Sequence, residues 1–101
     1  IVMEGGGNVG LAVAESLEAG ARRVRTKVIE KNRICAEKAA EALERTIVLN
    51  GDGLDAGLLA EAGVSRADAM LAVTDDDKTN MLACVRAKAE GCDYTIPLWC
   101  R

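Results

Sequence analysis

The residues most able to support chemistry form a glycine-rich loop near the start of the chain. Gly5, Gly7 and Gly10 have the spacing Gly-x-Gly-x-x-Gly and follow the apolar run Ile1–Met3. Because glycine has no Cβ, such a loop can turn tightly and let a phosphate group approach the backbone closely. A helix that begins in the loop would direct free N–H groups and the positive end of its dipole at the phosphates. The loop predicts a phosphate-binding turn, provided that the neighbouring elements agree.

An acidic residue lies at the spacing that a dinucleotide site requires. Glu30 comes twenty residues after Gly10, at the end of the strand-like run Thr26–Glu30. A carboxylate at this spacing accepts hydrogen bonds from the ribose hydroxyls of an adenosine. It would also repel a 2′-phosphate, which favours NAD(H) over its phosphorylated form. A tight turn and a solvated glutamate would explain each residue alone, but not their combination.

Two later polar segments also follow apolar runs. Asp52 comes after the third run, where it would border the ligand or serve only in a turn. The acidic segment Thr74–Asp77 comes after the fourth run. One of its carboxylates is expected to cap the next helix, and the others would contact the ligand, hold a cation beside the phosphates, or be solvated. Asn80, one turn further, would face the same crevice or lie on the helix surface.

Side chains for catalysis are not evident in the sequence. The chain contains no histidine, and neither Ser16 nor Ser65 has an evident base. The four cysteines lack Cys-x-x-Cys spacing, so we interpret them as reduced thiols and predict no metal site. They are Cys35, Cys84, Cys92 and Cys100. A formal net charge of −3 argues against general nucleic-acid binding, which requires a basic face.

The elements that must position these residues alternate between strands and helices. The predicted strands are Ile1–Met3, Thr26–Glu30, Thr46–Leu49, Ala69–Val73 and Tyr94–Cys100. Helices are predicted from Asn8 to about Ala19, after caps at Asn32 and Asp55, and from the acids Asp75–Asp77, with Gly63 and Gly91 as stops. This alternation predicts an α/β, Rossmann-like, doubly wound parallel sheet of order 3-2-1-4-5 between two helix layers. The ligand would bind at the carboxyl ends of the strands.

The spacing of apolar residues predicts which helix faces pack on the sheet. In the first helix these residues are Val9, Val13 and Leu17. In the fourth helix they are Met81, Cys84 and Val85. The abrupt start and end of the chain favour one domain, residues 1–101, cut from a longer protein.

Four segments together resemble a known family. They are Val2–Gly10, Val28–Lys31, Val48–Asp52 and Ala72–Met81. In this order and spacing they are similar to the RCK or KTN nucleotide-binding domains, and most similar to the TrkA N-terminal type of bacterial Trk potassium-uptake systems. The Gly-Asp after the third strand and the segment from Thr74 to Asn80 separate this family from generic dehydrogenases.

The resemblance implies a role for each matching position. The phosphates would be held by Gly5, Gly7, Asn8, Val9 and Gly10. The ribose would be held by Glu30 with Lys31 adjacent, and Asp52 would border the adenine. The distal half of the ligand would be lined by Thr74, Asp75 and Asp77, while Arg101 would reach the phosphates or a neighbouring subunit.

The resemblance also implies a regulatory protein that is not an enzyme. Such domains bind NAD(H), and many bind ATP or ADP. They form homo-oligomeric rings in the cytoplasm, peripheral to the inner face of the cell membrane, where they control a membrane potassium transporter. Two other functions stay open: the cofactor domain of an NAD-dependent dehydrogenase whose catalytic residues lie elsewhere, and a structural Rossmann domain that binds nothing tightly.

Two positions depart from the family pattern. Glu4 stands directly before the loop, where an aliphatic residue is usual. An unpaired buried carboxylate is costly, so we expect Glu4 to be paired, partly exposed or a cause of local distortion. Pro97 lies inside the last predicted strand, and because proline lacks an N–H, this strand is expected at an edge of the sheet.

Overall fold

Five parallel strands form the centre of the structure, a computed structural model. It describes residues 1–5, 7–20, 25–67, 69–74 and 76–97, without the side chains of Asn8 and Asp77. The strands are β1 (Val2–Glu4), β2 (Lys27–Glu30), β3 (Ile47–Asn50), β4 (Met70–Ala72) and β5 (Thr95–Pro97). Their order in the sheet is β3-β2-β1-β4-β5, and every pair is parallel. The predicted doubly wound topology is confirmed.

Four α-helices connect these strands. They are α1 (Asn8–Gly20), α2 (Arg33–Ala42), α3 (Ala56–Glu61) and α4 (Asp77–Ala89), and a short 3-10 helix, Val64–Arg66, follows α3. A parallel pair of strands needs such a crossover, because its second strand must start from the same edge as the first. Within the part of the chain described, none of these helices combines the length and the apolar character that a membrane span requires.

The two faces of the sheet carry separate apolar cores. On one face, Met3 and Val28 pack with Ala14 of α1 and Ala39 of α2. The other core joins strand residues to α3 and α4 and includes Val2, Ile29, Leu59, Ala72, Ala83 and Ala87. Neighbours along a strand point to opposite faces, which is why Val2 and Met3 belong to different cores. The result is the predicted arrangement of three layers.

Strands β1 and β3 end one residue later than their apolar runs predict, whereas β4 ends one residue earlier, at Ala72 rather than Val73. The first strand ends at Glu4 rather than Met3, and the third ends at Asn50 rather than Leu49. The backbone ladder explains the extension, because the Val73 N–H donates to the Glu4 carbonyl at 2.9 Å and the Gly51 N–H donates to the Glu30 carbonyl at 2.9 Å. Polar side chains therefore stand on the last rung of the sheet, at its carboxyl edge.

The predicted helix caps and stops are confirmed. Asn32 and Asp55 accept backbone N–H groups at the starts of α2 and α3, and Asp76 does so at the start of α4. Gly63 and Gly91 follow their helices with positive φ angles of 76° and 104°. Among the described strands, β5 pairs only with β4, so Pro97 lies on an edge strand as expected.

The predicted sheet-facing side of α4 is wrong at two of its three residues. Met81 is 45% exposed and Val85 is 65% exposed, although Cys84 is buried as predicted. The buried face instead carries the small side chains of Ala83 and Ala87. Alanine side chains let a helix approach the sheet closely. Because alanine is only weakly hydrophobic, the pattern of large apolar residues does not identify this face as the buried one. Val9 of α1 is also half exposed, because it borders the open carboxyl edge.

Candidate functional site

A cleft of about 690 Å³ opens at the carboxyl edge of the sheet. The connections that follow β1 and β4 cross to opposite faces of the sheet at this edge, and the crevice lies between them. Seven of the residues predicted for the site line the cleft. They are Gly5, Gly7, Val9, Glu30, Lys31, Asp52 and Thr74. The structure therefore brings together residues that are up to 69 positions apart in the chain, from Gly5 to Thr74.

Among the predicted site residues that are fully described, only Gly10 does not line this cleft. Gly10 is buried under the loop, where its Cα faces the backbone of Gly5. Asp75 and Arg101 lie outside the described residues, as do the side chains of Asn8 and Asp77. Their predicted roles stay predictions.

Gly5 makes the turn from β1 into the loop. Its φ angle is +110°, a conformation that other residues rarely adopt. A Cβ at this position would lie 3.0 Å from the Thr74 nitrogen and 3.1 Å from the Val73 carbonyl carbon. The Gly5 N–H donates to the Ile29 carbonyl at 2.8 Å. Only glycine fits a turn held this closely between the ends of β2 and β4.

Gly7 presents the opposite situation, because it is exposed and a Cβ there would meet no atom within 4 Å. Its carbonyl accepts the Leu11 N–H at 2.8 Å, so it forms the entry to α1. The first turn of α1 has no acidic residue. The positive end of the helix thus meets open space beside Gly7, and this space fits the phosphate groups of a nucleotide.

Glu30 is held at the end of β2 by the neighbouring backbone. Its Oε2 accepts the N–H of Asn32 at 2.7 Å. The side-chain amide of Asn50 donates to the carbonyls of Glu30 at 2.8 Å and of Lys31 at 3.1 Å. These bonds tie the ends of β2 and β3 together and fix the carboxylate at the rim of the cleft. A ribose held there would meet a preorganised acceptor.

Asp52 is exposed at the rim, and it also shapes the turn after β3. Its Oδ1 accepts the N–H of Leu54 at 2.9 Å. A carboxylate in such a turn keeps further acceptor capacity. Both roles open for Asp52, a turn residue and a ligand neighbour, are therefore compatible with its position.

Asn80 fixes the loop after β4 and is fully buried. Its Oδ1 accepts the backbone N–H of Thr74 at 2.9 Å and lies 2.5 Å from the Thr74 hydroxyl. Its Nδ2 donates to the Thr74 carbonyl at 3.0 Å. Of the two roles open for Asn80, neither an exposed helix position nor a crevice-facing one matches this structure. The residue positions Thr74 instead.

Sequence reasoning missed several residues that line the cleft. The first turns of α2 and α4 contribute Cys35 and Thr79, and the loop after β3 contributes Leu54. Asn32 lines the cleft in addition to capping α2. The topology could have identified them, because the helices that follow the strands in this fold begin at the edge of the sheet where the ligand binds.

Glu4 is the residue that departs most from expectation. It is 4% exposed, and its Oε2 has no hydrogen-bond partner among the described residues. The strand is regular around it, with Glu4 in register with Ile29 and Ala72. Partial exposure and local distortion, two of the three expectations for Glu4, are therefore wrong, and its Oε2 is not paired with any described residue. The loop after β3 folds over the carboxyl group and buries it.

The surroundings of Glu4 change its acidity. Burial raises the pKa of Glu4 from 4.5 to about 7, and the negative charges of Asp52 and Glu30 add to the rise, which Lys31 opposes. A carboxyl group with this pKa is half ionised near pH 7 and largely neutral at pH 6. Of the described residues that line the cleft, four are acids and one is a lysine. Neutral Glu4 removes one negative charge from that set.

We expect Glu4→Gln to stabilise the fold more at pH 8 than at pH 5. The pKa of Glu4 in the folded protein lies above its unfolded value. The contribution of Glu4 to the free energy of unfolding is therefore fully present below pH 4.5 and is lost as pH rises through 7. Glutamine does not titrate. From pH 5 to pH 8 the unfolding free energy of the variant should therefore rise by about 1 to 3 kcal/mol relative to that of wild type. Urea unfolding at pH 5 and pH 8 measures this difference. The exposed Glu41→Gln serves as control, and an equal stability difference at both pH values would contradict the burial of Glu4.

Comparison with known proteins places this site in a family. The profile of the TrkA-N domain matches residues 1–98. The chain is 46% identical over 98 residues to the Trk system potassium uptake protein TrkA of Azorhizobium caulinodans, and 41% identical over 98 residues to that of Vibrio alginolyticus. It is 36% identical over 96 residues to the Trk system potassium uptake protein TrkA homolog 2 of Methanosarcina mazei.

These alignments cover 97%, 97% and 95% of this chain but 21% of each relative, so the chain spans about a fifth of their length. The matched region contains the glycine loop, Glu30, Asp52 and the segment that follows β4. The family profile matches residues 1–98, which include all five strands and the residues that line the cleft. The chain belongs to the TrkA-N domain family.

Proposed function

We propose that this chain is the nucleotide-sensing domain of a potassium-uptake regulator and that it binds NAD(H), or alternatively ATP or ADP, in the cleft at the carboxyl edge. One observation carries the proposal. The turn at Gly5 and Gly7 directs the start of α1 into the same cleft that Glu30 borders from β2. The groups that we propose to hold the phosphates and the ribose therefore line one crevice.

The residues present fit an adenosine ligand. Its phosphates would lie at Gly7 and the start of α1, where a Cβ on Gly7 would meet no described atom within 4 Å beyond its chain neighbours. Its ribose hydroxyls would donate to Glu30, and its adenine would lie near Asp52. In a dinucleotide, the second half would extend toward Thr74, beyond the pyrophosphate. The carboxylate of Glu30 favours an unmodified ribose, which supports NAD(H) over its phosphorylated form.

The regulatory part of the proposal is supported by the relatives, which are named as Trk system potassium uptake proteins. We propose that the full-length protein is a cytoplasmic homo-oligomer, peripheral to the membrane, and that it controls a membrane potassium transporter. A ligand can shift such an assembly only through its differential affinity for two states. The proposal involves no catalytic step.

Calorimetric titration of the chain with NAD⁺, NADH, ATP and ADP tests the proposed binding. We expect Glu30→Gln to weaken NAD⁺ binding by roughly tenfold to a hundredfold, because hydrogen bonds to a charged acceptor contribute about 1.5 to 3 kcal/mol. The exposed Glu41→Gln on α2 makes the same chemical change outside the cleft and should leave the affinity unaltered. The absence of binding at millimolar concentrations of all four nucleotides, or equal affinities of the two variants, would refute the assignment.

A further inference from the structure

The carboxyl group of Glu4 is built into the floor of the cleft. Glu4 lies on the last rung of β1 and points to the same face of the sheet as Val2, two residues earlier, which belongs to the core under α3 and α4. Its neighbours in register are Ile29 on β2 and Ala72 on β4, both buried and apolar. The side chain lines the cleft while 96% of its surface is removed from solvent, given its exposed fraction of 4%.

The loop after β3 is shaped to cover this carboxyl group. A Cβ on Gly53 would overlap the carboxyl group of Glu4 and would lie 2.6 Å from its Cγ. The backbone of Gly53 is itself buried. The absence of a side chain at position 53 therefore makes the space that Glu4 occupies. With Oε2 unpartnered, the cleft floor holds one polar atom whose hydrogen-bonding capacity the described residues do not use.

The charged and titratable groups around Glu4 come from several elements. Glu30 and Lys31 face it from the end of β2, Asp52 faces it from the loop after β3, and Cys84 faces it from α4. Asp76 lines the cleft from the start of α4. Acids outnumber the single lysine in this set. An ionised Glu4 would add a negative charge to the floor of a cleft whose proposed ligand is an anion.

We propose that Glu4 links the binding of an anionic nucleotide to the uptake of a proton, because its buried carboxyl group lies in the floor of the cleft beside Glu30 and Asp52. With the carboxyl group neutral, the cleft floor adds no negative charge to those of Glu30, Asp52 and Asp76 when the phosphates bind at the start of α1. With the carboxyl group ionised, the ligand meets one more like charge in a poorly solvated position. This inference rests on the proposed nucleotide site and adds a regulatory input to it.

The sign and size of the effect follow from the acidity of Glu4. A ligand that binds the neutral form only loses apparent affinity as pH rises through the pKa of the free protein, about 7. The predicted dissociation constant therefore rises about tenfold between pH 6 and pH 8. No histidine is present to contribute to this pH dependence. The Cys84 thiol does not contribute between pH 6 and pH 8 either, because burial raises its pKa. The amino group of Ile1 lies at the other end of β1, against the Arg25 carbonyl.

Calorimetric titration with NAD⁺ at pH 6, 7 and 8 tests this linkage. NAD⁺ is the suitable probe because its pyrophosphate has no terminal phosphate and stays ionised throughout, whereas a terminal phosphate has a second pKa of about 6. Repeating each titration in two buffers of different ionisation enthalpy counts the protons taken up. We expect weakening of about tenfold from pH 6 to pH 8, with net proton uptake that is largest at pH 8. Glu4→Gln should bind with an affinity independent of pH, close to that of wild type at pH 6.

The outcomes separate this inference from the proposed function. Binding of NAD⁺ with the same affinity at all three pH values, or with proton release, would overturn the proton linkage and leave the nucleotide site intact. Absence of NAD⁺ binding at every pH would refute the site itself. Glu41→Gln is the matched control and should keep the wild-type pH dependence. If Glu4→Gln did not fold, the proton count of the wild-type chain would still decide the question.

Discussion

Replacement of Gly10 by alanine is expected to destabilise the fold by roughly 3 kcal/mol or more and to abolish nucleotide binding. Gly10 lies in the first turn of α1, directly beneath the turn at Gly5. A Cβ at this position would overlap the carbonyl group of Gly5 and would lie 3.3 Å from a methyl group of Val73. Because the obstacle is backbone rather than a flexible side chain, the helix and the loop would have to separate. Urea unfolding followed by circular dichroism measures the loss.

Two other glycines provide matched controls for this substitution. Gly20, at the end of α1, has no described atom within 4 Å of a Cβ beyond its chain neighbours, so Gly20→Ala should leave stability unchanged or raise it by up to about 1 kcal/mol. Gly7→Ala should also fold, but it places a methyl group where the phosphates are proposed to bind, and it should weaken NAD⁺ binding. A Gly10→Ala variant as stable as Gly20→Ala would contradict the close contact between α1 and the loop.

Replacement of Asn80 by alanine is expected to cost about 2 to 4 kcal/mol of unfolding free energy. The side chain is fully buried, and it serves both the N–H and the carbonyl of Thr74. Its removal leaves two half-buried backbone groups of Thr74 without these partners and opens a cavity at the start of α4. Because Thr74 lines the cleft and Asn80 holds it in place, the variant should also bind NAD⁺ more weakly than wild type.

Met81→Ala is the control for Asn80→Ala, since Met81 is adjacent on α4 and 45% exposed. It should cost less than about 1 kcal/mol. Urea unfolding of both variants compares the two faces of the helix. If Met81→Ala were the more destabilising change, the assignment of the buried face of α4 would be wrong.

Much of the fold could be predicted because local signals agree with the global topology. Short apolar runs separated by helical segments require parallel strands, and right-handed crossovers then leave few possible orders. The caps at Asn32 and Asp55 and the stops at Gly63 and Gly91 were readable because each depends on its own residue type. The same holds for the loop at Gly5, whose positive φ only glycine readily adopts.

The orientation of α4 could not be predicted, for a physical reason. Its buried face is made of small residues and one asparagine, so the apolar residues visible in the sequence are on the exposed side. An amide that satisfies the backbone of Thr74 is as compatible with burial as an aliphatic side chain. No periodicity of hydrophobic residues reports such a pairing.

The state of Glu4 also depended on contacts that the sequence does not display. Its identity marked it as unusual, but its burial requires Gly53, which is 49 positions further along the chain. The register of β1 with β2 and β4 then fixes its neighbours as Ile29 and Ala72. Only the assembled edge of the sheet shows that the carboxyl group is enclosed and surrounded by other acids.

The most direct test of the proposed site is an NMR titration of the ¹⁵N-labelled chain with NAD⁺. We expect saturable shifts of the amide signals of Gly5, Gly7, Lys31 and Thr74, which line the cleft. The amide of Thr46 precedes β3 at the amino edge of the sheet and should not move. Shifts confined to that opposite edge, or no saturable shift at millimolar NAD⁺ and ADP, would contradict a nucleotide site between the glycine loop and Glu30.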